Sequence, residues 1–283
     1  MNSPVYYVDG RFMPADQATL PLGDLAIVRG FGVFDFLRTY RRVPFKLHDH
    51  VLRLYNSAEQ IGLEMPWSMG EVEEIVRETN DRNGYDDAAI RIVMTGGPSP
   101  DFLMPGQQPS LAVMVEPVAL PPVRQYTEGV GVTTTRIARI LPTVKSLNYL
   151  GAILAVNEAL KAGAVEAIYR TPDEHVTEGT RSNLFIFRGG KLFTPASDIL
   201  PGITRQVVLE IAAEEYAVVQ TALSYADLLA ADEVFMTSTT KEIVPVVKVD
   251  GQVVGGGRPG EYTQDMMERF KAYVDRCLTE AAA

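Results

Sequence analysis

The sequence predicts a soluble, mixed α/β (α+β) protein of two domains, and three observations carry that expectation. Its 283 residues suffice for two domains of ordinary size or one large one. Hydrophobic residues make up 46% and charged residues 22%, the balance of a globular chain rather than a disordered or fibrous one. Strand-like and helix-like patterns alternate, with one break between Glu116 and Arg124. There Pro117, Pro121 and Pro122 disfavour helix interiors and central strands and read as an extended linker. The expected division is a smaller N-terminal α/β domain at 1–118, a linker at 119–123 and a larger domain at 124–283.

From the N-terminus, strands from Val5 to Val8 and from Arg11 to Met13 flank Asp9-Gly10, which supplies the positive φ angles of a type I′ turn. A second strand region is expected from Ile27 to Tyr40, interrupted at Gly30 and Gly32, where the backbone bends or admits a close neighbour. Val51, Leu54, Ala58 and Ile61 recur at helical spacing and predict a helix from His48 to Ile61. Ser68 and Glu71, in capping-box order, open another that runs to Asn83. Ala89 to Thr95 and Leu111 to Val115 read as strands. Beyond the linker come a strand from Val130 to Thr134, a helix from Tyr149 to Ala162 stopped by Gly163, and a strand from Ala167 to Arg170. Leu184 to Arg188 and Lys191 to Thr194 form a hairpin around Gly189-Gly190. Pro201-Gly202-Ile203-Thr204 leads into an amphipathic helix marked by Val207, Val208 and Ile211. Strands from Glu233 to Thr237 and Pro245 to Val249, then a helix from about Glu261 to Leu278, complete the series.

Acidic residues outnumber basic ones 36 to 26, and the net charge of −10 repels a nucleic-acid backbone unless a basic stripe compensates. No such stripe occurs; Arg41 and Arg42 sit together in a hairpin turn. The single cysteine, Cys277, excludes an intrachain disulfide framework and fits a reducing compartment. The start at Met1 lacks the basic and apolar regions of a signal peptide, and no apolar run is long enough to span a bilayer. A cytoplasmic location, with neither membrane nor nucleic acid as partner, is the expectation.

Three segments have the makings of an anion site. Gly202-Ile203-Thr204 lies at a helix N-terminus, where unpaired N–H groups and the helix dipole favour phosphate. Ser238-Thr239-Thr240 follows a strand and offers successive hydroxyls and amides. Arg53 offers a charge-assisted fork. Each also has a plainer reading: an N-cap, a polar turn and a solvent-facing helix residue. His48, His50 and His175 lack the spacing of a metal set, so no metal is expected. No Gly-x-Ser-x-Gly elbow supports a hydrolase, and Gly255-Gly256-Gly257 lacks the spacing of a nucleotide loop.

Four ordered stretches, 143–151 around Lys145, 176–183 around Glu178, 200–205 around Gly202 and 235–240 ending in Thr240, strongly resemble the class IV aminotransferases. Arg29 to Asp35 and the helix carrying Arg53 stand in matching order. The resemblance implies the type IV fold of pyridoxal-phosphate enzymes, with the cofactor between two domains, and a homodimer in which a neighbouring subunit lends residues. It implies that Lys145 attaches the cofactor through its amine and, once freed, shuttles the substrate proton. Glu178 is implied to keep the pyridine nitrogen protonated. Arg53, Ile203, Thr204, Ser238 and Thr239 are implied to hold the phosphate, and Tyr149 the ring hydroxyl.

The substrates implied are an amino acid and a 2-oxo acid. After Thr95 the chain reads Gly96-Gly97-Pro98-Ser99-Pro100-Asp101-Phe102, without the Arg-x-His with which typical D-amino-acid transaminases grip the carboxylate, and Phe34 replaces their tyrosine. Arg29, Arg181 and Lys241 resemble the set of an atypical D-amino-acid subgroup, with Thr240 beside them and Arg38 and Arg91 in reserve. A D-amino-acid transaminase is the first expectation. A branched-chain aminotransferase and an aminodeoxychorismate lyase are the alternatives, with a non-catalytic cofactor-binding protein behind them.

Overall fold

The computed structural model describes residues 3–281, so Met1-Asn2, weighed above as the start of a leader, and Ala282-Ala283 lie outside the described residues. The chain separates into two compact units, residues 1–119 with 144–148, and residues 120–143 with 149–283.

In the first unit, β1 (Val5–Val8) and β2 (Arg11–Pro14) meet at Asp9-Gly10, both at positive φ. Then follow α1 (Leu25–Arg29), β3 (Gly32–Tyr40), β4 (Val43–Pro44), α2 (Leu47–Gln60), α3 (Met69–Asn83), β5 (Ala88–Thr95) and β6 (Ser110–Pro117). Among the described residues the sheet order is β2-β1-β6-β5-β3-β4, all antiparallel. Leu37, Ile90, Ile92 and Val113 of the sheet pack with Val51 and Leu54 of α2 and Val72 and Val76 of α3 in one core. The helical spacing of those apolar residues is therefore what fixes α2 and α3 to the sheet. The Ser68–Glu71 capping box closes α3 at its start, and Gly84, left-handed at φ 68°, ends it.

One expectation is corrected here. Residues 27–29 are helical, in α1, because the Asp24 side chain accepts from the Ala26 amide as N-cap while Gly30, at φ 66°, supplies the left-handed C-cap. The strand starts only at Gly32.

The second unit contains α4 (Arg124–Thr127), β7 (Val130–Thr135), α5 (Leu150–Lys161), β8 (Glu166–Arg170), β9 (His175–Gly179), β10 (Asn183–Arg188) and β11 (Lys191–Thr194). It continues with α6 (Ile203–Ala212), β12 (Val218–Gln220), β13 (Leu223–Ser224), α7 (Tyr225–Leu229), β14 (Glu233–Ser238), β15 (Glu242–Val249), β16 (Gln252–Val253) and α8 (Glu261–Ala281). The sheet runs β12-β11-β10-β14-β15-β7-β8-β9-β13, and a further pairing of Glu178 with Asn183 joins β9 to β10. That contact closes β10, β14, β15, β7, β8 and β9 into a ring, which fixes what stands at the seam.

Candidate active site

In the first unit the Lys145 segment is stitched onto the outer edge of β3. The Phe34 amide donates to the Lys145 carbonyl at 2.9 Å, the Leu147 amide donates to the Gly32 carbonyl at 2.9 Å, and the Lys145 amide donates to Ser57 Oγ at 3.2 Å. Gly32 admits this segment: a Cβ there would come within 2.7 Å of Leu147 and 2.6 Å of the Met94 carbonyl. The close approach expected of this glycine is thus made by the lysine segment itself. Lys145 Nζ lies 4.7 Å from the Phe34 ring centroid, and the Arg91 guanidinium carbon lies 5.2 Å from the same ring.

Arg53 is not a solvent-facing helix residue. It is 7% exposed, and its Nε and Nη2 donate to the two Asp35 oxygens at 2.9 Å each. His50, one turn earlier on α2, meets Asp35 Oδ1 through Nδ1 at 2.6 Å. Burial opposes the charge on Asp35, yet Arg53 and His50 outweigh it and hold its carboxyl well below the ordinary carboxylate range. Burial lowers the pKa of His50 against the pull of Asp35, with Arg53 and Lys145 adding to the fall, so the imidazole is neutral.

In the second unit Glu178, 3% exposed, stands at the seam of the ring. Oε2 accepts from the Leu200 amide at 2.9 Å and Asn183 Nδ2 at 3.2 Å, and Oε1 accepts from Arg139 Nη1. Asn183 also donates to the Leu200 carbonyl, and Gly202 packs so tightly against it that a Cβ would lie 2.0 Å from Asn183 Oδ1. The α6 helix thereby begins beside the Glu178 anchor, with Ile203 and Thr204 in its first turn and no side chain capping it at Gly202. Burial pushes the Tyr169 hydroxyl up to about 12, and Arg139, Glu178, Tyr149 and Glu166 all act on it, so these four share its surroundings.

Ser238 ends β14, and Thr239 and Thr240 form the turn into β15, with the Lys241 amide donating to Ser238 Oγ at 3.4 Å. Beside it Thr237 Oγ1 is buried without a hydrogen-bond partner. Lys241 Nζ is bonded to the fully buried Glu166 carboxylate. Arg181 is exposed at the side chain while its amide donates to Glu166 at 2.6 Å. In the first unit Arg29 is exposed and donates to the Val28 carbonyl. Arg38 is drawn away over the Tyr40 ring, 4.0 Å from its centroid.

The sequence reading does not single out Asp35, Ser57, Arg139 or Glu166, and it considers His50 only among the histidines that lack the spacing of a metal set. Glu166 carried a signal, a lone charge beside Val165, Ala167 and Ile168, since an acid seldom enters an apolar strand unpaired. Arg139, in an irregular stretch between β7 and α5, carried none.

The chain belongs to the class IV aminotransferases: that family matches residues 32–249, most of the chain. Its fold is the type IV fold of this class. A putative branched-chain-amino-acid aminotransferase of Methanocaldococcus jannaschii is 37% identical over 273 residues, 94% of each chain. D-alanine aminotransferase of Bacillus licheniformis is 33% identical, over 91% of this chain and 93% of its own. The branched-chain amino acid aminotransferase of Escherichia coli superposes with a TM-score of 0.91 at 29% identity, over 95% of this chain and 94% of its own. The T.th. enzyme of the same name, solved with pyridoxamine 5′-phosphate, gives 0.90 at 31% identity, over 97% and 95%.

The protein is therefore an aminotransferase, and its class works with pyridoxal 5′-phosphate. The donor set fits that group. A half-buried primary amine suits an aldehyde, a buried and multiply bonded carboxylate suits a protonated ring nitrogen, and an uncapped helix N-terminus suits a phosphate. Among the described residues no group of three His, Cys, Asp or Glu is placed to hold a metal. No helix among them is long and apolar enough to cross a membrane.

Proposed function

We propose that the enzyme transfers the amino group between a D-amino acid and a 2-oxo acid in the cytoplasm, as a homodimer. When bound, the cofactor supplies the electron sink for the charge left at the substrate Cα. Lys145 attaches it and, when freed, moves the Cα proton. Glu178, oriented by Asn183, Arg139 and the Leu200 amide, holds the proton on the ring nitrogen. Ile203 and Thr204 offer amides to the phosphate, with Ser238, Thr239 and Arg53 as its other partners and Tyr149 for the ring hydroxyl. Asp35 orients Arg53 by gripping two of its nitrogens.

The observation that carries the substrate reading is Arg181, an exposed guanidinium whose backbone is pinned three residues beyond Glu178. A desolvated carboxylate needs a cationic or multi-donor partner, and Arg181 supplies one, with Thr240, Lys241, Arg29 and Phe34 completing the surroundings. The D configuration rests on likeness to the D-alanine aminotransferase of B. licheniformis, and a branched-chain L-amino acid is the second reading, favoured by the relatives of that name. Absorbance changes of the holoenzyme on mixing with D-alanine, L-alanine, D-leucine and L-leucine decide it. D-substrates are expected to react faster; preference for L-leucine would establish the second reading. Support for the dimer comes from α5, where Leu150, Ile153 and Leu154 are each more than half exposed. Sedimentation equilibrium should return twice the chain mass, and a monomer would exclude it.

A further inference from the structure

Glu166 is fully buried in β8, and nothing in the roles assigned above uses it. Its carboxylate is nonetheless held by four donors. Oε1 accepts from the Arg181 amide at 2.6 Å, Ser182 Oγ at 2.9 Å and Thr180 Oγ1 at 3.3 Å, and Oε2 accepts from Lys241 Nζ. Gly179 lets the 179–182 turn close on it, because a Cβ there would stand 2.4 Å from Ser182 Oγ and 2.7 Å from Glu166 Oε1. One buried anion therefore ties together the turn after Glu178 and the turn after Ser238. Burial works against its charge, but Lys241 and the turn donors prevail and hold the carboxyl below its ordinary value.

The ionised pair changes how Lys241 acts. An ammonium bonded to a carboxylate presents little net field to a third charge, whereas Arg181 hydrogen-bonds Glu166 through its backbone amide and leaves its exposed guanidinium, which acts on Glu166 only through space, to face a substrate. Lys241 and Arg181 on the two turns and Glu166 on β8 between them sum to one positive charge. We propose that Glu166 is a positioning and specificity-determining residue, which neutralises Lys241 and sets these turns to accept substrates with one carboxylate in preference to dicarboxylic ones. This rests on the reading of Arg181 as the carboxylate partner.

The test compares the holoenzyme with Glu166→Gln, Lys241→Gln and the double variant. Glu166→Gln keeps the acceptor and the shape but frees the Lys241 charge. The ratio of kcat/KM for D-aspartate over D-alanine should then rise on the order of tenfold, the effect of one charge at roughly 10 Å in an effective dielectric near 20. The change should fall mainly on KM. Lys241→Gln should lower the ratio, and the double variant, with the parent's net charge, should return it to the parent value. Thermal shifts given by succinate and by butyrate should follow the same order without turnover, so a slow variant is still informative. A role confined to holding the fold would alter all substrates alike; an unchanged ratio in Glu166→Gln, or a double variant that fails to return, overturns the proposal. The Arg181 reading fails separately, if Arg181→Ala leaves KM for D-alanine at the parent value.

Discussion

Glu178 and Asp35 are single buried carboxylates gripped by fixed donors. An amide, an asparagine and an arginine are aimed at Glu178. In a poorly solvated site such fixed donors are worth far more than in water. Glu178→Gln should retain the cofactor yet slow proton abstraction at Cα by about 10² to 10³, as removal of other preorganised electrostatic groups does. Unchanged half-reaction rates would remove Glu178 from the mechanism. Asp35 and His50 give the first unit an acid sensitivity of definite sign. Both have pKa values below the ordinary 3.8 and 6.5, so each contributes stability at higher pH that is lost as the pH falls below its unfolded value. The loss should begin with His50, below about pH 6.5, and continue with Asp35 below about 3.8. Denaturation midpoints of the parent should drop between pH 7 and 5, while His50→Gln should be flatter there. Parallel curves would show that the imidazole is not held neutral by the fold.

Among the elements, the amphipathic helices and alternating strands were legible because their periodicity answers to one buried face, as Val51, Leu54, Val72 and Val76 illustrate. The stretch at 27–29 misled, since its apolar residues resemble a strand start while the decisive Asp24 N-cap and Gly30 C-cap lie outside it. Local sequence does not mark β9 as a strand either. His175–Gly179 is short, and its pairing partners lie in β8, β10 and β13, which local sequence does not reveal. The start of α6 gives a prediction at this scale. Gly202 has an ordinary negative φ, so the obstacle to a side chain there is the contact with Asn183. Asn183 is pinned by Glu178 and the Leu200 carbonyl and has little room to retreat. Gly202→Ala should therefore cost about 1–3 kcal/mol by overpacking and loosen cofactor retention. A variant matching the parent in guanidinium chloride midpoint and in cofactor content after dialysis would show that the contact yields freely.

For the whole molecule, the sequence motifs named the family while the buried networks stayed hidden. Lys145 and Glu178 stand in recognisable strings, but their supports, Ser57, Arg139 and the Leu200 amide, come from distant or irregular segments that only folding assembles. The same holds for Glu166, whose partners lie 14 to 75 residues away. The segment at 144–148 clusters with residues 1–119 although it follows the proline-rich break, because it pairs with β3. The central claim is that this aminotransferase binds its cofactor through the amine of Lys145. Borohydride reduction of the yellow holoenzyme, followed by digestion and peptide mass mapping, tests it most directly. The phosphopyridoxyl group should be found on the peptide containing Lys145, and Lys145→Ala should yield none; a stoichiometric adduct on any other lysine would contradict the account.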